Sequence, residues 1–130
     1  MDTIYDRADQ SRILSTTRDP QLKALLQRRF ALLITADHDL TDWTVFIIVA
    51  PGDSEHDLIR EAGFSPLVEP IDGGRFGSDG FQPFWDHLDE EDGHFVLTIS
   101  FGSTFAYVLI VPDADGILPE LRHLCRRFAA

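Results

Sequence analysis

The sequence predicts an α+β fold: a mixed β-sheet of about four strands, built from one βαβ-like unit plus a C-terminal β-hairpin and packed by three to five helices. Three observations carry that reading. Residues 43–50, WTVFIIVA, are β-branched and aromatic and apolar on both faces, as a strand covered on both sides must be. Residues 94–111 hold two apolar runs about Gly102-Ser103, a pair suited to a two-residue hairpin turn that starts with glycine. Residues 19–33 and 117–128 place leucine and phenylalanine at helical spacing.

The elements follow in order. The first fifteen or so residues are the least legible: Ile4, Tyr5 and Ala8 fall on one helical face with Thr3 as a cap, but the pattern fades. This segment is expected to be loosely attached. Asp19 caps a helix that starts at Pro20, a residue pre-set for the first helical position. Leu22, Leu25, Leu26, Phe30 and Leu33 form its apolar stripe, and TADHDLTD (35–42) reads as a polar connection.

After the strand at 43–50, Pro51-Gly52 turns the chain. Asp53 or Ser54 caps a helix to about Ala62, with Glu55 and Asp57 suited to its positive end and Gly63 to a left-handed stop. A brief strand near Pro66–Glu69 would complete the βαβ-like unit. IDGGRFGSDG (71–80) has no apolar period and reads as a loop. Phe81, Phe84, Trp85 and Leu88, at i, i+3, i+4 and i+7 with Pro83 in the first turn, predict a short amphipathic helix.

Folding 94–111 about a two-residue turn sets Phe101 opposite Thr104 and Leu97 opposite Val108. That face is apolar core; the other is mixed and expected to be half-covered or turned to a partner. PDADG (112–116) turns the chain into a last helix with Ile117, Leu118, Leu121, Leu124, Cys125 and Phe128 on one stripe. Arg126 and Arg127 suit its negative end.

At 130 residues the chain fits one domain with a real core. The absence of a long apolar run argues against a membrane span. MDTIYDRADQ does not resemble a signal peptide, and a cytoplasmic protein is expected. The single Cys125 cannot make an internal disulfide or a multi-cysteine zinc site.

Net charge is −11, unevenly spread: residues 1–34 sum to +2, 35–117 to −15 and 118–130 to +2. Direct nucleic-acid binding lacks the basic footprint it needs. The asymmetry favours a basic partner, or packing of the basic ends against the acidic middle.

WDHLDEEDGH (85–94) concentrates the acids. One reading is a solvated loop. A second is a metal site from His87, Glu91 and His94, mixed His and carboxylate ligands being suited to zinc or iron. A third is a docking surface of Asp86, Asp89, Glu90, Glu91 and Asp92, with Arg75 and Phe76 as an anchor pair from the glycine loop. His38 and His56 each precede an aspartate but read as surface histidines, as does His123. The glycine loop matches neither nucleotide fingerprint. Cys125 lies on an apolar stripe, and no nucleophile elbow or HExxH is present.

The expectation is a small acidic, non-enzymatic regulatory protein that binds a basic protein partner without a cofactor. In one version it mimics nucleic acid and inhibits a nucleic-acid-handling protein. The alternative is a metal-dependent hydrolase or small-ligand enzyme using His38, His56, His87 or His94 with adjacent carboxylates and a divalent metal. Self-association, basic ends against acidic middle, is a third arrangement.

Overall fold

A computed structural model describes residues 1–34, 38–63, 70–71, 75–76, 83–101 and 105–129. Twelve elements run in the order β1 Asp2–Ile4, α1 Arg7–Thr16, α2 Pro20–Ala31, a 3₁₀ turn Thr41–Trp43, β2 Thr44–Ile48, α3 Glu55–Ala62, β3 Pro70–Ile71, β4 Arg75–Phe76, β5 Pro83–Glu91, β6 His94–Phe101, β7 Phe105–Pro112 and α4 Pro119–Ala129. The fold is α+β, as the sequence predicts, with four α-helices on one mixed sheet among the described residues. Strand order is β1-β2-β7-β6-β5-β4-β3. β2 and β7 run parallel, and the other pairs are antiparallel.

Both faces of the sheet are covered, which explains the apolar character of its middle strands. Every residue of β2 is buried. On one face Val45, Ile47, Leu97, Ile99, Leu109 and Val111 pack against Leu58 of α3 and Leu121 and Cys125 of α4. On the other, Phe46, Ile48, Val96, Val108 and Ile110 meet Ile13 of α1 and Leu25, Leu26 and Phe30 of α2. Phe30 and Phe46 meet edge to face at 5.0 Å, a geometry worth about 0.5–1.5 kcal/mol beyond area burial. Burial pushes the Cys125 thiol up to about 12, with the charge of Asp113 adding to the effect. It is an inert core thiol.

The helix ends follow the predicted chemistry. Asp19 accepts the Gln21 N–H at 3.0 Å. Ser54, not Asp53, caps α3 in a reciprocal capping box with Asp57. Gly63 closes that helix at φ 77°, where a Cβ would be strained.

Four expectations are corrected. First, the N-terminal segment is a strand and then a helix. Asp6, not Thr3, caps α1 by accepting the Asp9 N–H. β1 pairs with β2, and Ile4 and Ile13 are buried. Second, the parallel partner of β2 is β7; the predicted strand near residues 66–69 lies outside the described residues.

Third, residues 83–91 form a strand, not a helix. A β-bulge between Trp85 and His87 shifts the register, so Trp85 stands opposite Ile99 and Leu88 opposite Leu97. Residues three apart on β5 thereby pair with residues two apart on β6, a spacing that reads as helical in the sequence. Fourth, the β6–β7 register closes with Phe101 opposite Phe105, not Thr104; the turn at Gly102-Ser103 lies outside the described residues. A slip of one moves every β7 side chain to the other face. Leu109 and Val111 join Leu97 and Phe95, while Val108 and Ile110 join Val96 under α1 and α2. Of the residues expected on a half-covered face, His94, Val96, Ser100, Leu109 and Val111 are buried, and Thr98, Phe105 and Tyr107 are partly buried.

Candidate functional site

The acidic run forms the end of β5 and the turn into β6. Asp92 and Gly93 both have positive φ, 49° and 76°, and Glu91 pairs with His94 across them. These angles define a type I′ hairpin turn, in which Asp-Gly is a preferred pair. The Asp-Gly dipeptide before the alternating strand was the signal that identifies the hairpin.

α2 reaches across the sheet to this tip. The Arg29 guanidinium donates to Asp89 Oδ2 and Glu91 Oε1, each at 2.7 Å. Arg28 donates to Asp92 Oδ2 at 2.6 Å and Glu91 Oε2 at 3.4 Å. The Asp92 hydrogen bond, then Glu91, holds Arg28 above its usual pKa despite the opposing cost of burial. The Arg29 side chain is only 13% exposed, and its Nε has no hydrogen-bond partner among the described residues. Asp89, Glu91 and Asp92 are thus engaged by the chain's own arginines. Glu90 is exposed.

The same pairing recurs at the C-terminus. Arg122 and Arg126 donate to Asp113 Oδ1 at 3.0 and 2.9 Å. Burial works against the Asp113 carboxylate, yet the two arginines hold its pKa below the ordinary value. The basic ends of the chain pack on its acidic middle within one molecule.

The remaining sequence-predicted residues are dispersed. Asp86 and His87 lie on β5, and the side chains of both lie outside the description. Arg75 and Phe76 form β4, with Arg75 opposite Phe84 of β5. The anchor pair is therefore strand backbone within the expected loop. His94 is buried, and its Nδ1 lies 2.8 Å from the Asp92 carbonyl oxygen. His38, His56 and His123 are exposed on three separate segments. Among the described residues no three His, Cys, Asp or Glu side chains gather as a metal-holding group.

A different surface emerges at the other end of β2. Of six exposed large apolar side chains among the described residues, Leu32, Ile34, Leu40 and Trp43 lie within or beside the expected polar connection at 35–42, and a fifth is Tyr5. Trp43 N–H donates to the Leu40 carbonyl at 3.0 Å. In such a 3₁₀ turn, side chains three apart eclipse one another, so Leu40 and Trp43 share a side. Arg7 pairs with Asp39, tying the start of α1 to this turn. Tyr5 follows the Ile4–Phe46 pair, which brings it level with Val45, two residues from Trp43.

Asp39 anchors the turn. Its carboxylate accepts from the Thr41 hydroxyl and backbone N–H. The Thr41 hydroxyl first, then Arg7, lowers its pKa to about 2. Asp42 is exposed and forms no ion pair among the described residues. Trp43 and Tyr5 are half-exposed, at 53% and 54%, and Asp42 immediately precedes Trp43 in the chain. Periodicity cannot find such a surface, because Leu40 and Trp43 differ from core residues only in what fails to cover them.

Comparison of the chain with protein-family models, with curated proteins and with solved structures returned no match.

Proposed function

We propose that this protein is a small, non-enzymatic binding protein that docks a basic protein partner through the surface of Tyr5, Leu40 and Trp43. The observation supporting this reading is the placement of two half-exposed aromatic rings and a leucine beside exposed Asp42. Aromatic side chains with acidic neighbours supply the anchors and the steering that protein docking uses. The net charge of −11 speaks for a basic partner. Engagement of Asp89, Glu91 and Asp92 by Arg28 and Arg29 favours aromatic burial over a phosphate-like row of carboxylates at the hairpin tip.

The test compares partner capture by the wild type, Trp43→Ala and the double variant Asp89→Asn/Asp92→Asn, with cross-links mapped by mass spectrometry. The expected result is one partner retained by the wild type and the tip variant, cross-linked near residues 38–43 and lost from Trp43→Ala. Its binding should weaken as salt rises from about 50 to 500 mM. Loss of the partner from the tip variant alone would overturn the assignment.

A further inference from the structure

The chemistry of the same surface restricts what its partner presents; this inference rests on the docking reading above. Leu40 and Trp43 share one side of the 3₁₀ turn, and Tyr5 stands beside them at the end of β1. Arg7, the nearest basic residue of α1, is taken up by Asp39. Asp42 remains free among the described residues. An exposed indole, an exposed phenol and an unpaired carboxylate together attract a cation on a short apolar stem. A carboxylate-bearing ligand would meet Asp42, with Arg7 already paired to Asp39.

We infer that the surface of Tyr5, Leu40, Asp42 and Trp43 receives an arginine or lysine side chain from an amphipathic segment of the partner. The cation lies against the aromatic faces and Asp42, and its aliphatic stem covers Leu40. Arginine is the preferred form, because its planar head stacks on a ring while its N–H groups serve a carboxylate.

The experiment uses the whole chain, ¹⁵N-labelled, and two synthetic amphipathic peptides of identical leucine pattern, one carrying arginine and one glutamate at the polar positions. Backbone and indole resonances report the site, with the two indoles distinguished by Trp85→Phe. The arginine peptide should shift Tyr5 and residues 40–44. Its affinity should fall about tenfold in Trp43→Ala and about threefold in Asp42→Asn, the scale of a cation–π contact and one exposed charge.

Equal binding of the glutamate peptide at the same residues would overturn the cation inference and leave the docking surface standing. So would partner capture that depends on Trp43 while neither peptide shifts residues 40–44. Shifts confined to residues 89–92 would remove both readings. Shifts of Trp43 that grow with protein concentration alone, with a doubling of sedimenting mass, would assign the surface to a second copy of the chain and end the proposal.

Discussion

The β5–β6 tip and the turn from Leu40 to Trp43 are both acidic surface turns, and they use their acids differently. At the tip Asp89, Glu91 and Asp92 face two arginines of α2, and the charge is spent inside the molecule on holding a helix to a hairpin. At the other turn Asp39 is likewise committed, to Arg7 and Thr41, but Asp42, next in sequence to half-exposed Trp43, has no ion pair among the described residues. A dense run of acids in a sequence is therefore not all available as negative surface: three of these are paired, and Glu90 is exposed. Availability depends on where the arginines land.

The largest effect expected from this contrast is on stability at the tip. Arg29→Ala strands two partly buried carboxylates and should cost about 1–3 kcal/mol, between the exposed and buried limits for ion pairs, read from urea unfolding. No measurable loss would mean that the tip carboxylates are free and would restore them as a docking face. Arg28→Ala, at the more exposed of the two arginines, should cost less than Arg29→Ala in the same assay.

Gly93→Ala is next, at about 1 kcal/mol. Its φ of 76° is strained for alanine although no atom lies within 4 Å of the added carbon, so the cost is conformational. An unchanged unfolding midpoint would contradict the type I′ turn. At the other turn, the Asp39 carboxyl should titrate at about 2 by NMR instead of the ordinary 3.8. Because the folded value is the lower one, the stability it contributes is complete above 3.8 and is lost as pH falls through about 2. A midpoint near 3.8 would detach Arg7 and Thr41 from it. The smallest stability change, within about 0.5 kcal/mol, is expected for half-exposed Trp43→Ala. A large loss there would reclassify the ring as core.

Much of the architecture was legible because local chemistry decided it. Asp19-Pro20, Ser54 with Asp57, and Gly63 each specify a helix end within a few residues. The run at 43–50 announced a strand buried on two sides, which is so for Thr44–Ile48 but not for Trp43, an exposed residue of the turn before it. What failed was non-local. The bulge after Trp85 gave a strand the spacing of a helix, and the register of β7 depended on both faces being covered. Of the candidate site, the sequence showed the tip acids but not their arginines, which lie about sixty residues earlier on α2. It concealed Trp43 altogether, since exposure is a property of neighbours.

The parallel ladder has a consequence for how the chain comes together. Thr44 meets Ala106, 62 residues further on, so the β2–β7 ladder closes over a long stretch of chain, whereas β1 meets β2 within residues 2–48. The β5–β6–β7 meander needs only short-range closure and is expected to form first, with β2 docking onto its finished edge. Until β7 is in place, one edge of the apolar β2 strand stays open to pairing with another chain, the exposure that favours aggregation.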